Sequence, residues 1–382
     1  MSALELLLAV SIALALYPLA GYPLVIGIVG ALRPRPVARR ENKPTVTVLI
    51  PAFNEADCIE RTLESKLAQD YPAHLLQIIV VSDASDDGTD DIVRRFESRG
   101  VMLVRREVRQ GKAAGLNEAV RHATGEIIVF SDANAEFARD AISRMVENFA
   151  DPTVGYVTGR LSMRVADGSL AGEGNSGYIK YENWLRVRES RAGSVIGVNG
   201  GVDAMRRALY EDVPPEQITD FVLPLRVLAA GKRVIYDPRV NSTEEANEEL
   251  GSEFRMRVRV ALRGLRGLWY MRRVLNPFRY PLASLCVVSH KLLRYWTFVF
   301  LVLALLANVV LAVSHVSYRW LLALQLGAYA LACLGLSRHA PNALRRLAGL
   351  PSYFLVSNVA FAVATLRFLR GETMATWRPR GG

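Results

Sequence analysis

The chain has 382 residues, enough for two or three domains, and its three widely separated cysteines argue against a disulfide framework or a zinc site. Lysine and arginine outnumber aspartate and glutamate by 47 to 37, which gives a net charge of +10, but no nucleic-acid recognition motif accompanies this charge. Hydrophobic residues make up 51% of the chain and are concentrated at its two ends. Because the arginines cluster beside these apolar ends, anionic lipid headgroups and a phosphate-bearing substrate are favoured over nucleic acid as partners.

The first apolar segment, Leu4–Gly30, carries a single charge, Glu5, and is long enough to cross a bilayer, which takes about 20 residues. It lacks a basic start, which favours a retained transmembrane helix at residues 1–32 over a cleaved signal peptide. Pro18 and Pro23 predict a kink in this helix.

Strands alternate with helices in the central part of the chain. Apolar runs at Thr45–Ile50, Leu76–Val81 and Glu126–Phe130 predict strands, and helical spacing separates them. This alternation predicts an α/β fold with a parallel sheet, whose ligands bind beyond the carboxyl ends of the strands. Three polar clusters follow these strands: Pro51-Ala-Phe-Asn-Glu55, Asp83–Thr89 and Asp132-Ala-Asn134.

Two of these clusters have both a chemical and a structural interpretation. Asp83 can accept hydrogen bonds from a base or ribose, or it can form an Asx turn, an interpretation that suits Asp86 and Asp87 better. Asp132 and Asn134 can present two oxygens to one divalent cation that bridges a diphosphate. Alternatively they cap a following helix, expected over residues 135–149.

Two further charged residues stand out. Lys112, in Gln110-Gly-Lys-Ala-Ala-Gly115, can contact phosphate, although the segment is not a P-loop because no Ser or Thr follows the lysine. Asp220 follows the glycine-containing segment Asn199–Arg207 and begins an apolar helical pattern. It is either an N-terminal cap or a general base, and its own position in the sequence leaves both interpretations open.

The chain after the central domain is apolar again. Residues 276–294 mix leucine, valine and aromatic residues with arginine, lysine and histidine, a pattern typical of a helix that lies in the membrane interface. Residues 295–370 contain three apolar segments, which predict about three transmembrane helices before a tail at residues 371–382. The segments are Tyr295–Val313, Tyr318–Leu336 and Leu350–Leu366.

The placement of arginines predicts the orientation. Arginines follow the first span and precede the second, which places residues 45–275 in the cytoplasm of a multi-pass protein of the cell's inner (plasma) membrane. The loop Ser337–Gly349 also carries arginines, which favours a cytoplasmic position for this loop. Four spans would put the C terminus outside, whereas the arginines of the tail favour the cytoplasm, so the side of the C terminus stays open.

Taken in order, these motifs resemble those of the membrane-bound, inverting family 2 glycosyltransferases of the GT-A fold, relatives of the cellulose, hyaluronan and poly-N-acetylglucosamine synthases. The resemblance covers about Val46–Trp296. It implies a GT-A domain at residues 45–275 between N- and C-terminal transmembrane helices. It also implies that Asp220 is the general base and that Asp132 and Asn134 hold Mg²⁺ or Mn²⁺. The residues it implies for binding a nucleotide sugar are Pro51, Ala52, Asn54, Glu55, Asp83, Lys112, Asp132 and Arg259.

The chain departs from the family's motifs at three places. Asn134 replaces the second aspartate of Asp-x-Asp, which removes one charge but keeps an oxygen ligand. The Thr-Glu-Asp base motif falls on Ile218-Thr-Asp220, so only its aspartate is kept. Of the Gln-x-x-Arg-Trp motif of processive members, only Arg259 matches, which puts processivity in doubt.

The resemblance implies inverting sugar transfer from a nucleotide diphosphate, expected to be a UDP-sugar, to a glycan or lipid-linked acceptor in polysaccharide synthesis. Two alternatives stay open, a single-sugar transferase acting on a lipid carrier and a non-catalytic scaffold of a polysaccharide export complex. The presence of both Asp132 and Asp220 favours catalysis over the scaffold. The bilayer is an expected partner, and the oligomeric state, a homo-oligomer included, stays open.

Overall fold

A computed structural model describes residues 1–164, 173–245, 250–337 and 341–373. The chain divides into two compact units. The helical unit contains Met1–Val25, Glu249–Leu265 and Leu285–Glu372. The sheet unit contains chiefly Ile26–Glu248 and Arg266–Ser284.

The sheet unit is built on a mixed eight-stranded sheet of order β3-β2-β1-β4-β7-β6-β8-β5. The four strands from β3 to β4 are parallel, as predicted, whereas β7 pairs antiparallel with both β4 and β6, and β5 pairs antiparallel with β8. The β-branched runs of the first strands are fully buried, which explains why the sequence specifies them so clearly. The strands are β1 Val46–Ala52, β2 Leu76–Asp83, β3 Val101–Arg106, β4 Ile127–Ser131, β5 Glu136–Phe137, β6 Val154–Arg164, β7 Val202–Arg206 and β8 Arg233–Glu245.

Helices cover this sheet. The predicted spacing at Ile59 and Leu63 forms a helix that buries both side chains against the strands, as expected for apolar residues four apart. The sheet unit contains α3 Ile59–Leu67, α4 Thr89–Arg94, α5 Lys112–His122, α6 Ala141–Glu147, α7 Glu173–Ala192 and α8 Thr219–Ala229.

The helix predicted over residues 135–149 is wrong in its first half. Glu136 and Phe137 instead form β5, paired with Thr243 and Ser242 of β8, and α6 begins only at Ala141. Cross-strand pairing of a distant segment overrides the local helical pattern here, so Asp132 and Asn134 do not cap a helix.

The N-terminal apolar segment forms one long helix, composed of α1 (Ala3–Leu16), a π-helical turn (Tyr17–Gly21) and α2 (Tyr22–Leu32). The π-helical turn contains Pro18, whose missing amide interrupts the regular hydrogen bonding at the position of the predicted kink. In the helical unit, Leu8 of this helix packs against Ala304, Ala307 and Leu311 of the apolar helix Thr297–Ser314. The small alanine side chains allow close contact between the helices.

The described residues of the C-terminal part of the chain are mostly helical. The helix predicted at residues 276–294 forms as two short helices joined by a π-helical turn, Val287–Leu292, and its position in a membrane interface stays a prediction. The helices here are α9 Leu250–Tyr270, α10 Pro281–Cys286, α11 Leu293–Tyr295, α12 Thr297–Ser314, α13 Val316–Gly335 and α14 Asn342–Leu369.

Among the described residues, three helices are long and apolar enough to cross a membrane, judged by length and composition: Ala3–Leu32, Thr297–Ser314 and Ala343–Leu369. The remaining predicted span, Tyr318–Leu336, forms the 20-residue helix α13. This helix is less apolar because it contains Arg319 and Gln325. Four spans therefore stay a prediction.

The predicted loop Ser337–Gly349 is shorter than expected, since α14 already begins at Asn342. Within that loop, residues 338–340 lie outside the described part of the chain, as do residues 374–382 of the predicted tail.

Candidate active site

The three predicted polar clusters lie at the same edge of the sheet. β1, β2 and β4 run parallel and in register, with Ala52 opposite Ser82 and Leu49 opposite Phe130. Their carboxyl ends therefore meet at one edge, where parallel α/β sheets bind ligands. The buried residues Pro51 and Ala52 end β1 and direct the following loop to this edge.

The loop after β1 is fixed by the loop after β2. Asn54 has a left-handed φ of 52°, and its side chain exchanges two hydrogen bonds with Asp86, of 2.7 and 3.0 Å. The amide of Glu55 donates to Thr89 Oγ1 (2.8 Å), and Asp87 accepts from the amide of Ala56 (2.9 Å). Asp87 also forms the predicted turn, since it accepts from the amide of Thr89 (3.0 Å), whereas Asp86 links the two loops instead.

Asp83 has partners that the sequence did not predict. It is buried, and it accepts hydrogen bonds from Arg106 (2.9 Å) and from the amides of Gln110 and Gly111 (3.1 and 2.6 Å). In this structure Asp83 therefore anchors the loop that leads to Lys112, and its contact with a base or ribose stays a prediction. Beside this loop, two residues that sequence reasoning missed form a flat surface, with the guanidinium of Arg109 3.6 Å from the centroid of the Phe53 ring.

Lys112 links the predicted metal ligand to the predicted base. Its Nζ donates to Asp132 Oδ1 at 2.7 Å and lies 3.5 Å from Asp220 Oδ1. Burial lowers the pKa of Lys112, but the carboxylates of Asp132 and Asp220 outweigh that effect and the net pKa is raised. Three predicted site residues from separate parts of the sequence therefore form one charged cluster.

Asp220 is not an N-terminal cap. The residue in the cap position of α8 is Ile218, and Asp220 lies in the first helical turn. Its carboxylate faces Gly200, where a Cβ atom would lie 2.3 Å from Asp220 Oδ2. Gly200 also has a left-handed φ of 79°, so both the backbone and the space beside Asp220 require glycine.

Asp203, which sequence reasoning missed, lies near Asp220. It is fully buried on β7 and accepts hydrogen bonds from Tyr156 Oη and from the amide of Gly200, both of 2.9 Å. Burial, and to a smaller extent the nearby charge of Asp220, raise the pKa of Asp203 from 3.8 to about 6, against the hydrogen bonds that lower it. The sequence does contain a signal for Asp203, because an aspartate in the otherwise apolar run Val202–Met205 is unusual for a strand.

The raised pKa of Asp203 predicts a pH-dependent effect of Asp203→Asn on stability. The folded protein holds the Asp203 proton more tightly than the unfolded chain, so this stabilisation is complete below pH 3.8 and is lost as the pH rises through about 6. Two pKa units correspond to about 3 kcal/mol. Asparagine cannot ionise but keeps an acceptor oxygen.

We therefore expect Asp203→Asn to unfold at a higher Tm than wild type at pH 8, with the gap closing towards pH 4.5. Thermal unfolding followed by tryptophan fluorescence over this pH range measures the gap. A difference that is independent of pH would contradict the assigned pKa.

The Asp132–Asn134 loop is held from beneath by α3. Thr62 Oγ1 donates to the carbonyl of Ala133 at 2.7 Å, and the ammonium of the buried Lys66 donates to the carbonyl of Ala135. Among the described residues, no three histidine, cysteine, aspartate or glutamate side chains form a complete metal site. A cation here would therefore take further oxygens from the Asn134 amide and from a substrate.

Arg259, the remaining predicted site residue, is half-buried on α9 and belongs to the helical unit. Its predicted contact with the diphosphate stays a prediction.

Comparisons with known proteins identify relatives of this chain. Residues 47–213 match the model of glycosyl transferase family 2. The poly-β-1,6-N-acetyl-D-glucosamine synthase of Staphylococcus epidermidis is 26% identical over 286 residues, which cover 72% of this chain and 68% of the synthase. The synthase of the same name from Staphylococcus aureus (strain MSSA476) is 28% identical over 240 residues, which cover 61% of this chain and 58% of the synthase.

A solved structure resembles nearly the whole chain. It is that of the mannosyltransferase PcManGT from Pyrobaculum calidifontis in complex with GDP-Man and Mn²⁺, with a TM-score of 0.73 and 27% identity, covering 96% of this chain and 99% of that one. Residues 47–213 are therefore a glycosyl transferase family 2 domain, and this chain is a glycosyltransferase of the GT-A fold with homology to polysaccharide synthases.

Proposed function

We propose that this protein is an integral membrane enzyme that moves a sugar from a nucleoside diphosphate to a glycan or lipid-linked acceptor, with inversion and with the help of a divalent cation. The observation that carries the proposal is the cluster of Lys112, Asp132 and Asp220 at the carboxyl edge of the sheet. The Lys112 ammonium contacts both carboxylates, and this supports assigning Lys112 to phosphate, Asp132 to a metal and Asp220 to proton transfer.

The residues present fit a divalent cation. Asp132 offers a carboxylate and Asn134 an amide oxygen, the ligand types that Mg²⁺ and Mn²⁺ prefer. The absent side chain of Gly201 leaves space beside Asp132 Oδ2, 3.1 Å from the position of a Cβ there. When bound, the cation would neutralise charge that develops on the diphosphate leaving group.

The side chains of the site then have distinct tasks. Asp220 accepts the proton of the acceptor hydroxyl, and that oxygen forms a bond to the anomeric carbon on the face opposite the diphosphate. The nucleoside diphosphate leaves with the electrons of the broken bond, so a single displacement inverts the configuration. Lys112 supplies positive charge to the phosphates, and Arg259 is proposed to do the same through charge-assisted hydrogen bonds.

Two donor classes have support. The similar Staphylococcus proteins are named as synthases of a poly-N-acetylglucosamine, which favours a UDP-sugar, whereas PcManGT, similar over 96% of this chain, is in complex with GDP-Man. Few residues of the processive motif are kept, which favours a single transfer over polymer synthesis.

The test is transfer by the purified protein in lipid nanodiscs from radiolabelled UDP-N-acetylglucosamine, UDP-glucose and GDP-mannose to extracted lipid or glycan acceptors, with the products sized. We expect one donor to be used, excess EDTA to abolish transfer, and Mn²⁺ or Mg²⁺ to restore it. Full activity in EDTA would refute the cation's role, and no transfer from any nucleotide sugar, with donor binding intact, would favour the scaffold alternative.

A further inference from the structure

We propose that Glu244 is an additional ligand of the divalent cation and borders, with Asp132, the space beside Gly201; this assignment rests on the proposed cation-dependent function. A Cβ atom at Gly201 would lie 2.6 Å from Glu244 Oε1 and 3.1 Å from Asp132 Oδ2. Two carboxylate oxygens from residues far apart in sequence therefore border one small space, the volume that a side chain at position 201 would fill.

The sheet brings Glu244 to this position. Glu244 lies near the end of β8, opposite Met163 of β6, and it is only 4% exposed. Its neighbour Thr243 pairs with Glu136 of β5, the short strand that begins two residues after Asn134. The pairing that replaced the expected helix thus also fixes the end of β8 beside the Asp132–Asn134 loop.

The glycine at position 201 is explained by this space. Unlike Gly200, Gly201 does not have a left-handed φ, so its backbone conformation is open to any residue. What a larger residue would meet is the pair of carboxylates. Without a side chain at position 201, the space beside the two carboxylates stays open for a small cation.

The charges around this space favour a cation. The two oxygens of Asp132 face different groups, with Oδ1 bound to Lys112 and Oδ2 bordering the Gly201 space, so a cation can bind Oδ2 while Lys112 stays in place. The buried Lys66 ammonium is attracted by the carboxylates of Asp132 and Glu244. Its hydrogen bond, however, goes to the Ala135 carbonyl, and it lies 3.5 Å over the Phe137 ring.

Glu244 would also supply the charge that Asn134 lacks. Asp132 and Asn134 together carry one negative charge, whereas Asp132, Asn134 and Glu244 carry two and offer three oxygen ligands from the protein. Additional carboxylates strengthen divalent-cation sites, and oxygens of the diphosphate can complete the coordination.

The experiment measures Mn²⁺ binding to the full-length protein in detergent micelles, from the electron paramagnetic resonance signal of free Mn²⁺, with and without added GDP or UDP. We expect Glu244→Gln to raise the Kd for Mn²⁺ at least tenfold. Asp132→Asn should do the same, and Glu118→Gln, which removes an exposed carboxylate that pairs only with α5 side chains, should not. Thermal unfolding without Mn²⁺ checks that each variant is folded.

Gly201→Ala provides a second variant that leaves every carboxylate in place. Because its methyl group would enter the cation space, we expect it to weaken Mn²⁺ binding as well. Loss of binding in Asp132→Asn with normal binding in both Glu244→Gln and Gly201→Ala would overturn the Glu244 assignment alone. A wild-type protein that binds no Mn²⁺ would overturn the cation-dependent function together with this assignment.

Discussion

Asp220→Asn is expected to slow sugar transfer by roughly 10²–10⁴-fold, the usual contribution of a general base, while the fold and donor binding stay intact. Asparagine has the size of aspartate and keeps an oxygen for the Thr219 hydroxyl, 3.1 Å away, but it cannot take up a proton. The Lys112–Asp132 pair of 2.7 Å does not involve Asp220, so the phosphate side of the site should be preserved.

The measurement compares the transfer rate with the affinity for the nucleoside diphosphate, using purified protein in nanodiscs. Asp212→Asn is the matched control, because Asp212 is an exposed aspartate whose side chain pairs with Arg121 across 3.5 Å. Near-normal transfer by Asp220→Asn would remove Asp220 from the mechanism. A parallel loss of nucleotide affinity would instead indicate that Asp220 organises the site through Lys112.

Asp132→Ala is expected to lose roughly 10³-fold in transfer or more, since a metal ion contributes several kcal/mol of charge stabilisation and each 1.36 kcal/mol is a factor of ten. This change removes a proposed metal ligand and the closest partner of Lys112 together. We expect the variant to bind Mn²⁺ weakly and to gain little from raised Mn²⁺ concentrations.

Asp86→Ala is the comparison for Asp132→Ala. Asp86 also follows a buried strand at the same sheet edge, but its side chain bonds Asn54 across the turn, so its loss removes one hydrogen bond. Transfer rates measured at saturating donor should therefore separate the two variants by a factor of at least ten. Equal losses would show that the metal and turn roles of these aspartates are misassigned.

The sequence predicted those parts of the fold that local patterns determine. β1, β2 and β4 are runs of buried β-branched residues, and α3 has its apolar residues on one face, so each element is specified within its own segment. The parallel order of these strands then placed three polar clusters at one edge. Because the order of elements fixes that edge, the prediction did not need atomic detail.

Long-range contacts account for the rest. Residues 136–137 became a strand because β8 pairs with them, and Asp83 turned inward because Arg106 and a later loop supply its donors. Asp203 was missed because its partner Tyr156 lies on a distant strand, and Glu244 because Gly201 and Asp132, which border the same space, are distant in sequence. That Asp220 is not a helix cap likewise needed the structure, in which Ile218 occupies the cap position of α8.

Lys112, which lies between Asp132 and Asp220, also affects the electrostatics of the site when no ligand is bound. Acidic side chains gathered for catalysis repel one another, and a site that relied on its substrate or metal for compensation would be strained whenever either was scarce. Here the chain carries its own counterion, since the Lys112 ammonium lies within 3.5 Å of both carboxylates. We therefore expect the charges of Asp132 and Asp220 to stay compensated even when neither a substrate nor a cation is bound.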